Sequence, residues 1–314
     1  MKIVIPGGSG HVGQALLDAL TKLNRDVIIL SRRTSSEKHL VHWDGQTIGS
    51  WANEIDGADV VINLAGRSVN CRYNETNRKQ MLDSRVDSTR AIGAAIAQAK
   101  TPPPVWLQMS TATIYDHRLD AGNDEATGWI NAGKSSYPES WKLSVEIAKA
   151  WEQEQTNAQT PNTRKIAMRT SMVMSPIKGS IFGVLSNLVR MRLGGPIAGG
   201  KQYVSWIHEA DFVRAILRLI EDSKFSGVVN LAAPVPLPQK EFMADLRAAW
   251  KVSLGLPATK WMATIGAIFM QTETELILKS RRVVPGRLLD AGFEFQFPEW
   301  QAAAVELVQR MRQS

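Results

Sequence analysis

Lys2-Ile3-Val4-Ile5-Pro6-Gly7-Gly8-Ser9-Gly10-His11-Val12-Gly13 is the stretch whose reading decides the fold. A helical pattern over residues 14–23 follows it, and then a second apolar run, Val27-Ile28-Ile29-Leu30. Strand, glycine turn, helix and strand in that order make a βαβ unit. Gly7, Gly10 and Gly13 recur every three residues, a variant of the dinucleotide fingerprint. Glycine permits the tight turn, a close approach of backbone to a pyrophosphate, and close packing of helix on strand. The helix N-terminus then offers free N–H groups to phosphate oxygens. Gly7, Ser9, Gly10, His11, Val12 and Gly13 are therefore candidate cofactor-binding residues.

The end of the second apolar run selects between dinucleotides. An acidic residue there hydrogen-bonds the ribose hydroxyls of NAD, whereas arginine accommodates a 2′-phosphate. This chain has Ser31-Arg32-Arg33 and no acid. A hydroxyl beside planar guanidinium groups suits a phosphate monoester, so the expected cofactor is NADP(H). The competing reading of the same residues is a solvated basic turn.

With 314 residues the chain is long enough for one large domain or two unequal lobes. Its 44% hydrophobic and 21% charged residues are ordinary for a globular protein. The most apolar stretch, residues 261–270, is too short to span a bilayer. The chain enters a strand without a basic leader and apolar run, so no secretory signal is expected. A lone cysteine, Cys71, forbids an internal disulfide and fits a reducing, cytoplasmic setting; without a suggested histidine partner it reads as a spectator. The net charge of +7 comes from dispersed basic residues. No nucleic-acid motif accompanies them, and a surface attracting a phosphorylated cofactor is the simpler expectation. The five histidines show no metal-ligand spacing. Expected partners are thus a small-molecule substrate, with no nucleic acid, no membrane and no metal, in a monomer or homodimer.

Strand and helix patterns alternate along the chain, which implies a parallel sheet covered on both faces. Residues 59–66 read as a buried strand ending in a glycine turn. Residues 83–99 read as a helix, stopped by Thr101-Pro102-Pro103-Pro104. Residues 105–111 form the next strand, and residues 139–155 a helix with Pro138 at its first position. Residues 166–170 and 228–231 are further strands, with a helix over 211–221. The expected architecture is α/β, a Rossmann-type doubly wound parallel sheet with a smaller, mostly helical C-terminal substrate lobe. Residues 1–170 and 205–232 fall to the first part, and 171–204 and 233–314 to the second.

The glycine loop, Asn63-Leu64-Ala65-Gly66, Ser110-Thr111-Ala112-Thr113-Ile114-Tyr115 and Trp206-Ile207-His208-Glu209-Ala210-Asp211 together resemble extended short-chain dehydrogenases/reductases of the epimerase/dehydratase type. Arg72-Tyr73, Ser84-Arg85, Ala150-Trp151-Glu152, Gly194-Gly195-Pro196-Ile197 and Arg282-Val283-Val284-Pro285 with Gly292-Phe293 are similar to one atypical branch, the SDR39U1-like "epimerase family" with a small C-terminal domain. The matches run nearly the whole chain. The resemblance implies that Leu64 and Ala65 pass the adenosine side of the cofactor. It places Arg85, and more weakly Gln80, on the helix that faces the cofactor, where Arg85 either reaches phosphate or ribose or is a helix-face charge. It puts residues 171–173, and Met172 among them, beside the nicotinamide.

The resemblance also implies a catalytic hydroxyl, a tyrosine, and a lysine four residues after that tyrosine. In such a set the ammonium and the cofactor's positive ring favour phenolate, and the tyrosine exchanges a proton with the substrate oxygen. Thr111 occupies the hydroxyl position and Lys142 the lysine position. The residue four before Lys142 is Pro138, and Tyr137 stands one place too early. At about 100° per residue, a five-residue step misses the shared helix face by about 140°. Tyr137 keeps a route inward because it precedes the proline. Lys142 has the alternative of a solvated helix lysine beside Glu146. His208 is either a pocket acid/base or part of a structural turn, and Trp141, Trp151 and Trp206 read as core or cleft walls. Two functional classes remain: an NADP(H)-dependent oxidoreductase or epimerase-like enzyme on a small carbonyl or alcohol, with Thr111, Tyr137 and Lys142 catalytic, or an NADPH-binding sensor with a degenerate site.

Overall fold

The protein is described by a computed structural model covering residues 1–34, 37, 39–130, 137–177, 179–269 and 273–313. β1 (Lys2–Pro6), α1 (His11–Lys22) and β2 (Asp26–Ser31) form the first βαβ unit, with β1 and β2 parallel in the register Ile3 to Val27. Alternate β1 side chains face opposite ways. Ile3 and Ile5 join Leu16 and Leu20 of α1 in one core cluster, while Val4 joins Leu30 in the cluster on the other face. β3 (Leu40–His42) adds to β2 at the sheet edge. Three residues inside a polar connection carry too little periodicity to be read as a strand beforehand.

β4 (Val60–Asn63) is shorter than the expected 59–66, because Leu64 onward turns into a loop. α2 (Glu75–Gln98) begins eight residues before the expected start at 83. Asn74 caps it by accepting a hydrogen bond from the Asn77 N–H at 2.8 Å. Its first two turns are polar and largely exposed, so they carried no apolar stripe to announce a helix. β5 (Val105–Thr111), α3 (Glu139–Asn157) and β6 (Arg164–Thr170) continue the alternation. Pro138 is the cap of α3 and not its first helical residue; its ψ of 146° is extended.

Beyond β6 come β7 (Met172–Met174), α4 (Ile181–Arg190), β8 (Tyr203–Val204), β9 (Trp206–His208), α5 (Glu209–Glu221), β10 (Gly227–Leu231), β11 (Leu237–Pro238) and α6 (Gln239–Trp250). The chain closes with α7 (Lys260–Phe269), α8 (Glu275–Leu278), α9 (Gly286–Asp290) and α10 (Trp300–Gln313). α5 starts two residues earlier than expected because His208 caps it, its Nδ1 accepting from the Ala210 N–H at 3.1 Å. The apolar stretch 261–270 belongs to α7, except Met270, which lies outside the described residues. Among the described residues no helix is long and apolar enough to cross a membrane.

Seven parallel strands form one sheet in the order β3-β2-β1-β4-β5-β6-β10. Strand order reverses between β1 and β4, and doubly wound sheets bind ligands beyond the strand ends at such a point. α1 and α5 cover one face of the sheet, and α2 and α3 pack together on the other. A separate apolar cluster joins β9, α4, α6 and α10 around Trp300, whose ring stacks on Phe242 at 4.0 Å and meets Trp206 at 5.0 Å. The two parts are stitched by the chain after α8. The Val284 N–H donates to the Asn123 carbonyl at 3.0 Å, and the Arg287 guanidinium to the Val228 carbonyl of β10 at 2.6 Å.

Candidate functional site

The glycine loop sits where the strand order reverses. Gly7 has φ of +75°, and a Cβ there would lie 2.6 Å from the Ala65 Cα, so the loops after β1 and β4 touch. A Cβ on Gly13 would lie 2.1 Å from the Gly8 carbonyl oxygen, so α1 is pressed onto its own entry loop. Gly10 differs: a Cβ there meets only the Gly7 oxygen at 3.9 Å. Packing within the protein therefore does not demand glycine at position 10, and the open space above it suits a ligand. Gly10 caps α1 without a side chain, which leaves the N-terminal N–H groups around His11 and Val12 without a side-chain partner.

Across the loop, the buried Ser31 hydroxyl at the end of β2 donates to Ser9 Oγ at 3.4 Å and accepts from the Arg33 N–H at 3.1 Å. Arg32 and Arg33 are exposed, and neither guanidinium has an ion-pair partner among the described residues. On the β4 side, the Asn63 side chain accepts from the Ala65 N–H at 3.0 Å and donates to Gln108 at 2.9 Å, fixing the turn that carries Leu64 and Ala65.

A cavity of about 280 Å³ opens between the start of α1 and the ends of β5 and β6. His11 and Val12 line one side, and Ser110, Ser171, Ser175 and Ser180 supply hydroxyls on the other. Ser171 Oγ is buried with no hydrogen-bond partner among the described residues. Such a hydroxyl costs free energy until something accepts or donates to it. Open space over Gly10, an orphaned hydroxyl in the cavity and unpaired cations beyond Ser31 together fit a phosphorylated dinucleotide. Met172 does not line this cavity: it packs on the apolar cluster around Trp300, while its neighbours Ser171 and Val173 do line it. The alternation of a strand decides which of residues 171–173 faces inward.

Arg85 is not a solvated helix-face charge. Its guanidinium turns under the loop after β4, donating to the carbonyls of Met81 at 2.8 Å and Arg67 at 3.1 Å, with the Trp151 ring 4.9 Å away. Burial pushes its pKa down to about 10. It holds the loop from below. Gln80 is exposed, about 140° round α2 from Arg85.

At the catalytic positions, Thr111 closes β5 and its hydroxyl accepts from the Thr113 N–H at 3.1 Å. Lys142 pairs with Glu139 at 2.7 Å, and not with Glu146. Tyr137 lies against Trp141 with ring centres 5.5 Å apart, and Trp141 stacks on His117 at 5.4 Å. The structure thus gives Thr111 and Lys142 local partners and sets Tyr137 on an aromatic ledge before α3. His208 is in a structural turn: it is 1% exposed, stacks on Phe297, and its Nε2 donates to Glu306 at 3.0 Å. Trp151 and Trp206 are buried in the core, and Cys71 is half-buried with its thiol 3.8 Å from the Ser68 carbonyl.

Two buried polar clusters beside these positions escaped the sequence reading. In the first, Arg169 of β6 grips Glu152 of α3 through two bonds of 2.9 and 2.8 Å, and donates to Tyr115 Oη at 3.0 Å. Ser110 donates to Glu152, and Tyr115 to Asn230 of β10. Burial pushes the Arg169 pKa down, but the bonds and charge of Glu152 outweigh it and the net shift is upward. In the second, Glu275 (0% exposed) and Lys279 (2% exposed) pair at 3.5 Å. Lys279 also donates to the Thr113 carbonyl at 2.7 Å, and Arg281 to the Thr113 hydroxyl at 3.2 Å. Burial pushes Lys279 down to about 8, and burial followed by the Glu275 charge pushes Tyr73 up to about 12. The one sequence signal for the first cluster was an arginine inside the apolar run 166–170, which demands a buried partner. The i,i+4 spacing of Glu275 and Lys279 is a local signal for that pair, but nothing local announces its burial against Thr113, far away in the chain.

A family model described as "NAD dependent epimerase/dehydratase family" matches residues 3–232. The chain belongs to that family. A second model, a domain of unknown function (DUF1731), matches residues 260–307. Among family relatives, human epimerase family protein SDR39U1 is 28% identical over 313 residues, 98% of this chain and 100% of that protein. The crystal structure of human SDR39U1 (isoform 2) with NADPH superposes with a TM-score of 0.85 at 26% identity, covering 98% of this chain and 99% of that one. A nucleoside-diphosphate sugar epimerase from Corynebacterium glutamicum superposes at 0.76 with 25% identity, covering 98% of this chain and 58% of that one. The epimerase/dehydratase family thus accounts for the parallel sheet, and the DUF1731 match for the helical C-terminal region.

Proposed function

We propose that this epimerase/dehydratase-family protein binds NADPH and acts as an oxidoreductase or epimerase-like enzyme on a small carbonyl or alcohol. The observation that carries the cofactor choice is the end of β2: Ser31 bonded to the glycine loop, followed by two unpaired arginines and no acid. The NADPH in the human SDR39U1 structure supports it. In this reading the first turn of α1 holds the pyrophosphate, Arg32 and Arg33 the 2′-phosphate, and Leu64 and Ala65 flank the adenosine. Ser171 and its neighbouring hydroxyls take the nicotinamide end. The bound cofactor supplies or accepts hydride.

The chain's own residues supply the rest. Thr111 orients the substrate oxygen, giving up its bond to Thr113. Lys142 moves from Glu139 to hold the ribose, and Tyr137 or a water passes the proton. We assign residues 1–170 with 205–232 to cofactor binding, and 171–204 with 233–314 to the substrate lobe; the spans of the two family models and the separate apolar cluster around Trp300 support this division.

The second reading, an NADPH-binding sensor with spent chemistry, draws on the local partners that already occupy Thr111 and Lys142. Titration with NADPH and NADH, followed by nicotinamide fluorescence, tests the shared part. We expect preference for NADPH that collapses in Arg32→Ala, and equal affinities in the wild type would sink the cofactor assignment. In a carbonyl screen on the NADPH-binding protein, turnover lost in Tyr137→Phe selects the enzyme, and no turnover with any carbonyl selects the sensor.

A further inference from the structure

Residues 155–208 and 246–272 contain no aspartate or glutamate, and the fold lays parts of these two stretches side by side. The Leu256 N–H donates to the Arg192 carbonyl at 2.8 Å, and the Ala198 N–H to the Ala258 carbonyl at 2.8 Å. Where they meet, the surface is both apolar and cationic. Met191, Leu193, Leu254, Leu256, Trp261 and Met262 are all exposed, Trp261 by 65%. Scattered single apolar residues on a surface need no explanation, but a contiguous group of this kind does. Arg190, Arg192, Lys251 and Lys260 are exposed among them, and none has an ion-pair partner among the described residues. The apolar side chains come from the end of α4, the loop before α7 and the first turn of α7.

We propose that this face adsorbs to an anionic lipid surface. Aliphatic side chains, an exposed tryptophan and interspersed basic residues are what an interfacial contact requires: the apolar groups enter the boundary of the acyl chains while the cations meet headgroup phosphates. A second copy of the chain is a poor occupant. A two-fold contact brings the same patch against itself, which here opposes four unpaired cations to four. A nucleic acid satisfies the cations but leaves Met191, Leu193, Leu254 and Leu256 with nothing to enter. No described helix crosses a bilayer, so the contact is peripheral and reversible. It does not rest on the cofactor reading, since none of its residues lines the cavity beside α1.

The test is sedimentation of the purified full chain with vesicles of phosphatidylglycerol mixed with phosphatidylcholine, against vesicles of phosphatidylcholine alone. We expect binding to the mixed vesicles, much weaker binding to the neutral ones, and release as salt is raised. Leu256→Glu with Trp261→Glu lowers the bound partition roughly tenfold or more. Arg192→Gln and Lys260→Gln each lower it about fivefold, and these surface changes serve if the first pair disturbs folding, which circular dichroism monitors. Absence of binding to the mixed vesicles overturns the proposal. So does binding to a soluble polyanion that the two Glu substitutions leave unchanged, which assigns the patch to an acidic protein or nucleic acid. A concentration-dependent dimer in sedimentation velocity that Leu256→Glu abolishes overturns it in favour of a second copy.

Discussion

Gly13 and Gly10 stand three residues apart in one motif and are held to glycine by different forces. At position 13 a methyl group would collide with the Gly8 carbonyl oxygen, so Gly13→Ala displaces α1 from its loop. We expect a loss of about 2–3 kcal/mol or more in denaturant unfolding. At position 10 the same methyl group has room, and Gly10→Ala is expected to unfold like the wild type while weakening NADPH in the fluorescence titration. Equal stability losses at both positions would refute the distinction. Lys279 offers a second residue-scale prediction. Its folded pKa of about 8 lies below the ordinary 10.5 of an unburied lysine, so between those values the unfolded chain holds more protons than the folded one. Stability from this group therefore rises as pH climbs from 8 toward 10, and Tyr73, raised from 10.0 to about 12, opposes it from about pH 10 upward, where the unfolded tyrosine loses its proton and the folded one keeps it. Lys279→Met removes that rise. The measurement is urea unfolding across alkaline pH, and a variant with the same slope as wild type counts against it.

The elements differ in how far the chain announced them. β1, α1 and β2 were legible because three local signals coincide there: an unbroken apolar run, glycines at fixed spacing and a helical stripe. α2 was misread at its start because solvated first turns carry no stripe, and β3 went unread because an edge strand of three residues has no period. The partner of a buried charge is invisible for another reason. Arg169 and Glu152 come from β6 and α3, and only the packing of α3 on the sheet brings them together. That pair anchors α3, the helix that carries Lys142. Arg169→Met strands the Glu152 carboxylate in a mostly buried setting, with an expected cost of about 3–5 kcal/mol. Adding Glu152→Gln should restore part of it, and thermal unfolding of the single and double variants reads the difference. If Arg169→Met unfolds at the wild-type temperature, the pair contributes nothing net to anchoring.

Over the whole molecule, the C-terminal helix is tied to the sheet domain through His208, which caps α5, stacks on Phe297 and donates to Glu306 of α10. Burial lowers the His208 pKa from 6.5, against the bond and charge of Glu306. The unfolded chain therefore takes the proton first as pH falls, and stability from this group declines below about 6.5. His208→Gln should flatten that acid limb in urea titrations, and an unchanged limb would place the acid sensitivity elsewhere. The stitching after α8 has a consequence for how the protein is made. β10 is the last strand of the sheet, yet its Asn230 side chain donates to the Val284 carbonyl and its Val228 carbonyl accepts from Arg287. On the ribosome, residues 227–231 emerge long before those partners do. The nascent sheet must wait with one edge unfinished, exposed to chaperones and to pairing with other chains, until synthesis of the tail completes it.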